Sequence, residues 1–250
     1  MSNEVPRGSW RESQREFRER WIAEWSAEKV AAYQQCAGQL DAEQLARHAE
    51  DLQAVHSFQS FRRILDVGSG AGTVCEVLSH LYSRMSPDES AGPVELYALE
   101  PAPEMLRLLS VRAKRLRIVV EAREGFCDSA ADKVHFPANF FDLIISRQVT
   151  NGLYDPLCAF SNWKYWLRPG GTVIVMDGLF DRAGWGSDVD LFPLAATKSL
   201  STVPYLLEHA GLCVRSVGMM SSINAHPLTR TPRYLVVAER PLTGDPGSEH

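Results

Sequence analysis

The side chains best placed for chemistry gather early in the chain. Asp66-Val67-Gly68-Ser69-Gly70-Ala71-Gly72 sets glycine at three alternate positions directly after the apolar run Ile64-Leu65. With no side chain at 68 or 70, the backbone can turn sharply and let a ligand come close. A helix starting at Thr73 would aim its positive end at that ligand. Two ligand chemistries suit such a turn, a dinucleotide pyrophosphate and an aminoacyl group. The dinucleotide fingerprint wants its third glycine at position 73, where this chain has Thr. Asp66 inside the strand would repel a pyrophosphate and attract an ammonium. The spacing therefore favours the aminoacyl ligand.

Alternating elements must hold this turn and the polar residues downstream. Short apolar runs at Ile64 to Val67, Glu95 to Leu99, Arg117 to Ala122, Phe141 to Ser146 and Thr172 to Met176 read as strands. Helical stretches separate them, Thr73 to Ser83, Ala102 to Arg115 and Pro156 to Leu167. Consecutive parallel strands need such crossovers, so the pattern predicts a parallel sheet covered on both faces. Cys213 to Met219 and Tyr234 to Glu239 add two more strands after a helix through Tyr205 to His209 that ends at Gly211. Only a polar stretch with Pro227 and Pro232 joins them, which predicts an antiparallel final pair. The expected fold is α/β, a Rossmann-like three-layer sandwich with a mostly parallel seven-stranded sheet and an antiparallel last strand.

Ahead of the sheet, Trp10 to His56 is rich in Glu, Gln, Ala and Arg and predicts an N-terminal helical cap. Phe17, Trp21, Trp25 and Val30 read as one apolar stripe, and Gly38-Gln39-Leu40-Asp41 as a stop and a new N-cap before a helix from Ala42 to Ser57. The division expected is 1–58 helical cap, 59–240 ligand-binding domain and 241–250 disordered tail, with residues 1–9 disordered as well. Ser83 to Pro93 reads as a surface insertion. A net charge of -5 speaks against tight nonspecific binding to nucleic acid. The one dense basic cluster, Arg107, Arg112, Lys114, Arg115 and Arg117, reads as a solvated helix face. The five cysteines, Cys36, Cys75, Cys127, Cys158 and Cys213, are scattered with no CxxC pair. This pattern predicts reduced thiols, no metal site and, with no leader and no membrane-length apolar run, a cytoplasmic protein without a membrane partner.

Four motifs in order resemble the class I methyltransferases, over residues 60 to 240. Ile64 to Gly72 looks like their glycine-rich first motif. Leu96-Tyr97-Ala98-Leu99-Glu100 looks like the second strand with its terminal acid. Phe140 to Ser146 resembles the fourth motif, and Trp166 to Thr172 the turn before strand five. The resemblance implies S-adenosylmethionine as cofactor and S-adenosylhomocysteine as its product. It also implies cofactor contacts from Asp66, Gly68, Ser69, Gly70, Glu100, Pro101, Met105, Asp128 and Ser146. Glu100 would accept both ribose hydroxyls, since one carboxylate offers enough lone pairs. Asp128 would face the adenine amino group, although the stretch from Gly125 to Asp142 is longer than the family's usual loop.

The acceptor side is less specified. In an open parallel sheet, ligands lie beyond the carboxyl ends of the strands, so Arg147, Gln148 and Asn151 after strand four should border the acceptor. Trp21, Trp25 and Tyr33 of the cap would form a lid. Candidates for a proton-accepting role are Tyr33, His135, Tyr154, Asp177 and His226, none singled out by spacing. The Asn-Pro-Pro-aromatic motif of many methylases acting on exocyclic amines is absent. The expected activity is methyl transfer to an O or N atom of a small-molecule acceptor, natural products included. Methylation of a peptide or protein side chain stays open, as does a non-catalytic S-adenosylmethionine-binding protein. A nicotinamide-dependent oxidoreductase is disfavoured by the glycine spacing.

Overall fold

The structure is a computed structural model that describes residues 13–36, 40–85, 93–181 and 192–242. The expectations for residues 1–9, Gly38-Gln39 and most of the 83–93 insertion and the 241–250 tail lie outside them. Seven strands form one sheet: β1 (Arg63–Val67), β2 (Glu95–Glu100), β3 (Val120–Glu124), β4 (Phe141–Arg147), β5 (Leu167–Gly178), β6 (Cys213–Met219) and β7 (Arg233–Glu239). Their order is β3-β2-β1-β4-β5-β7-β6. β1 to β5 pair in parallel, and β7 runs antiparallel to both β5 and β6. This is the Rossmann-like methyltransferase topology anticipated above. The order in which strands are added reverses between β1 and β4, with β2 and β3 on one side and β4 and β5 on the other, so a crevice opens beyond their carboxyl ends.

The helices α4 (Thr73–Ser83), α5 (Pro103–Leu116), α6 (Pro156–Trp166) and α7 (Thr202–His209) flank the sheet. One face buries Trp163 and Trp166 of α6 against Phe141, Ile144 and Val173. The other packs Leu78 and Leu81 of α4 against Ile64 and Ile145. Each such side chain taken from water stabilises the fold by about 1.5–3 kcal/mol. The central strands are apolar on both sides because both faces are covered.

Three boundaries differ from expectation for local reasons. β3 begins at Val120 because Arg117 ends α5 in a left-handed conformation (φ 56°), with Ile118 N still donating to Ala113 O. Arg168 to Gly171 extends β5 rather than turning, as Gly170 N and Gly171 O pair with Arg240. A one-turn helix, α8 (Ser221–Asn224), interrupts the expected polar link between β6 and β7. One member of the basic cluster, Arg112, departs from a solvated face. Arg112 is buried, with its Nε 3.6 Å from Glu76 of α4, and Arg115 meets the same carboxylate at 2.9 Å.

The N-terminal segment forms α1 (Gln14–Glu24), α2 (Ala27–Cys36) and α3 (Ala42–Val55). The expected single stripe is broken at Trp25, the C-cap of α1. Phe17 is buried against Phe192, whereas Val30 packs on Ala71, Ala102 and Met105. α3 carries a capping box from Asp41 and Gln44. Its Asp51 carboxylate caps α8 in turn, accepting from Ser222 N and Ile223 N at 2.9 Å each. Cys75, Cys127, Cys158 and Cys213 are free. Among the described residues no helix is long and apolar enough to cross a membrane, and no three His, Cys, Asp or Glu side chains gather to hold a metal.

Candidate active site

Beyond β1, three glycines take left-handed angles, Gly68 (φ 63°), Gly70 (φ 52°) and Gly72 (φ 82°), which side chains rarely adopt. Leu99 O at the end of β2 accepts from Gly68 N at 2.8 Å and Ser69 N at 3.2 Å, fastening the turn to its neighbour. Glu100 then closes the arrangement. Its Oε2 accepts from Gly70 N and its Oε1 from Ala102 N, both at 2.9 Å. Burial pushes the Glu100 carboxyl up to about 7, against those two hydrogen bonds. A methyl group built at Gly68 would lie 2.4 Å from Val149, whereas at Gly70 it would meet open space.

That space is a cavity of about 900 Å³. Gly68, Ser69, Gly70, Glu100, Pro101, Met105 and Asp128 line one part. Trp21, Trp25, Tyr33, His48, Arg147, Gln148, Asn151 and Arg233 line the rest. The aromatic cap residues brace one another, Trp21 on Trp25 at 5.9 Å and Trp25 edge-on to Tyr33 at 5.7 Å. α1 is also latched to the connection between β3 and β4, because Arg18 reaches Asp128 at 2.7 Å and pairs with Asp132 as well.

Among the lining residues that sequence reasoning missed are His48 and Arg233. His48 is nearly fully buried, its Nδ1 2.8 Å from Gln44 O and its Nε2 3.4 Å from Arg147 Nε. Burial, reinforced by the Arg147 charge, lowers its pKa to about 4, so it is neutral with Nδ1 as donor and Nε2 as acceptor. Its only sequence signal was a place on the inward face of α3, four residues after Gln44. Arg233 opens β7 directly opposite Gly178.

Other expected residues lie behind the cavity rather than on its wall. Asp66 is buried in β1 with Cys75 Sγ 3.8 Å from its Oδ2 and Oδ1 unpartnered. Burial first, then the nearby Glu100, raises its pKa well above the carboxylate range. Ser146 pairs in register with Val67, and its hydroxyl is buried without a partner. Asp177 is enclosed by Thr150 N at 3.0 Å, Thr150 Oγ1 at 2.5 Å and Gly178 N at 2.7 Å. His135 packs beneath Gly125 and has a lowered pKa from burial. Tyr154 stacks on Phe17, with ring centroids 5.6 Å apart. His226 sits near Asp41 and Glu43 at the start of α3.

Residues 65–175 match the family model described as a methyltransferase domain. Phosphoethanolamine N-methyltransferase 1 of Arabidopsis thaliana is 28% identical over 46% of this chain and 21% of its own length. A ubiquinone biosynthesis O-methyltransferase of Cereibacter sphaeroides is 23% identical over 52% of this chain and 46% of its own. The chain thus spans less than half the length of these curated relatives. A crystal structure of a SAM-dependent methyltransferase from Aquifex aeolicus covers 86% of this chain and 98% of its own, with TM-score 0.60 at 19% identity. Domain match, strand order and glycine turn agree: residues 65–175 form a methyltransferase domain of the class I, Rossmann-like kind.

Proposed function

We propose that the chain transfers the methyl group of S-adenosylmethionine to an oxygen or nitrogen atom of a small-molecule acceptor. The observation that carries this reading is the continuity of one cavity from the glycine turn and Glu100 to the aromatic cap. The residues fit the cofactor. Each Glu100 oxygen keeps a lone pair for a ribose hydroxyl beside the backbone donor it already serves. Gly70 leaves room where a side chain would intrude, and the buried Ser69 hydroxyl has no partner of its own. Asp128, at the Phe126 end of the cavity, is the acceptor for the adenine amino group, and Met105 packs beside it.

S-adenosylmethionine, when bound, supplies a sulfonium methyl as the electrophile. The chain's own work is to align the acceptor and keep water out. Trp21, Trp25 and Phe180 exclude solvent, while Arg147, Gln148 and Asn151 orient polar groups of the acceptor. A neutral amine needs no base before attack. A hydroxyl gives up its proton, and on the cap side of the cavity Tyr33 and His48 are the side chains able to take part. The aromatic roof favours a small molecule over the side chain of a folded protein. The names of the two curated relatives, one an N- and the other an O-methyltransferase, suit the same class.

Calorimetry with S-adenosylhomocysteine, S-adenosylmethionine and NAD tests the cofactor; NAD binding without the other two would overturn the proposal. Radiolabelled methyl transfer from S-adenosylmethionine into fractionated cell extract tests the acceptor. Label in the small-molecule fraction supports this reading. Label confined to protein supports side-chain methylation, and binding without label in either fraction supports a non-catalytic role.

A further inference from the structure

Three arginines line the acceptor half of the cavity, Arg147, Arg230 and Arg233; Arg230 is exposed, and the other two have no carboxylate paired to them among the described residues. Arg147 ends β4 and Arg233 begins β7, and both line the cavity with Gln44, His48, Thr229 and Thr231. Neither forms an ion pair among the described residues. Arg147 Nε donates only to neutral His48. Arg233 lies over the Phe180 ring, 5.4 Å from its centroid, and its Nη1 is buried without a hydrogen-bond partner. The carboxylates nearest in the fold are occupied or turned elsewhere: Asp177 serves Thr150 and Gly178, and Asp66 faces Cys75.

Arg233 is built into this position. Its backbone N donates to Asn224 Oδ1 at 2.7 Å, and its carbonyl accepts from Asn224 Nδ2 at 2.8 Å and Met220 N at 3.0 Å. Gly178 makes room across the β5–β7 pair, since a methyl there would come within 2.6 Å of Arg233 Nη1. Burying two like charges together is costly unless an anion joins them. The cost shows in Arg233, whose pKa falls to about 10 through burial and then the Arg147 charge.

We infer that Arg147 and Arg233 form an oxyanion subsite, so that the methyl acceptor carries a phosphate or carboxylate group at a distance from the atom methylated. Guanidinium groups suit both anions, because their fixed fork of donors matches paired oxygens. This assignment rests on the proposed methyl-transfer reading for its link to the acceptor, but the anion site itself can be tested without it.

The experiment measures thermal stabilisation and calorimetric binding of inorganic phosphate and, separately, acetate at constant ionic strength. The protein carries S-adenosylhomocysteine, and wild type is compared with Arg233→Met, Arg147→Met and Arg147→Lys. Wild type should bind one anion or both; preference for phosphate marks a phosphorylated acceptor, and preference for acetate marks a carboxylated one. Arg233→Met should weaken that binding roughly tenfold or more. Its affinity for S-adenosylhomocysteine should stay unchanged, which also shows that it has folded. If Arg147→Met fails to fold, Arg147→Lys keeps the charge, loses the fork and should weaken the anion partially. Wild type that ignores both anions, or Arg233→Met that binds them as wild type does, overturns the inference. Failure of wild type to bind S-adenosylhomocysteine sinks the cofactor reading separately, since the anion titration is then read on the free protein.

Discussion

The two halves of the cavity are made in different ways. The glycine-turn half comes from consecutive residues at two adjacent strand ends, and its contacts run largely through backbone groups: Leu99 O, Gly70 N and Ala102 N. The cap half is made of side chains from α1, α2, α3, β4 and β7, segments brought together only by tertiary packing. The first kind of site tolerates almost no change of shape but asks little of residue identity beyond glycine and one acid. The second can be re-specified one side chain at a time. A single fold can thus keep one cofactor while its acceptor changes.

Substitutions should expose that asymmetry. The largest effect expected is from Gly70→Val, which puts a branched side chain into open cavity at φ 52°. S-adenosylhomocysteine binding should fall by about 3 kcal/mol, roughly a hundredfold. The fold should survive at a cost of about 1–2 kcal/mol from the left-handed angle. Calorimetry beside urea unfolding measures both, and undiminished affinity would show that the cavity at Gly70 is not where the ligand lies.

Next comes Glu100→Gln, expected to cost about 2 kcal/mol of cofactor affinity at pH 8. Its pH dependence sharpens the point. Burial raises the wild-type carboxyl from 4.5 to about 7. The native state therefore binds the proton more tightly than the unfolded chain, and Glu100 lowers the stability of the free protein as pH rises across that window. His48, lowered from 6.5 to about 4, acts in the opposite sense, adding stability as pH rises between those values. Hydroxyl donors favour the ionised Glu100, so S-adenosylhomocysteine affinity should rise through about pH 7 in wild type and stay flat in Glu100→Gln. A rise of equal size in both proteins would assign the titration elsewhere.

Trp21→Ala probes the other half. It removes ring contacts to Phe17 at 5.8 Å and Trp25 at 5.9 Å. The loss should be about 1–2 kcal/mol of stability. Methyl transfer should drop while cofactor affinity stays within a few-fold, and equal losses in both would merge the two halves into one. Smallest of all, Arg107→Ala breaks an exposed pair with Glu104 at 2.9 Å on α5. A change below about 0.5 kcal/mol is expected on chemical denaturation. A larger one would mean the basic helix touches something beyond solvent.

The same asymmetry governs what could be read before any coordinates. Buried parallel strands are continuous apolar runs, and a glycine turn followed by a strand-end acid is local, so the mostly parallel sheet and the turn from Gly68 were legible, but not the order of the strands. β3 slipped by three residues at its start because Arg117, an unremarkable residue in sequence, takes a left-handed cap. Arg112 reads as one more surface cation, yet the turn of α5 aims it at Glu76 on a neighbouring helix. Arg233 was invisible for a deeper reason: what gives it meaning is its register with Gly178 across the β5–β7 pair. His48 likewise gains its role only once Arg147 arrives from another element.

The bridge between α3 and α8 has a consequence for how the chain is made. Asp51 leaves the ribosome well before the groups it caps, Ser222 N and Ile223 N, which lie 171 and 172 residues further on. Arg47 waits for the same segment, since its Nη1 donates to Ser222 O at 2.8 Å. During synthesis from the N-terminus, α3 therefore emerges before the backbone groups that Asp51 caps, while Arg47 already has Glu43 of its own helix at 2.8 Å. Contacts between such distant positions form late, after the loop-closure entropy has been overcome. The central strands can pair as they emerge, but the Arg233 side of the cavity must wait for β6 and β7, so a nascent chain acquires its glycine turn well before it has an enclosed pocket.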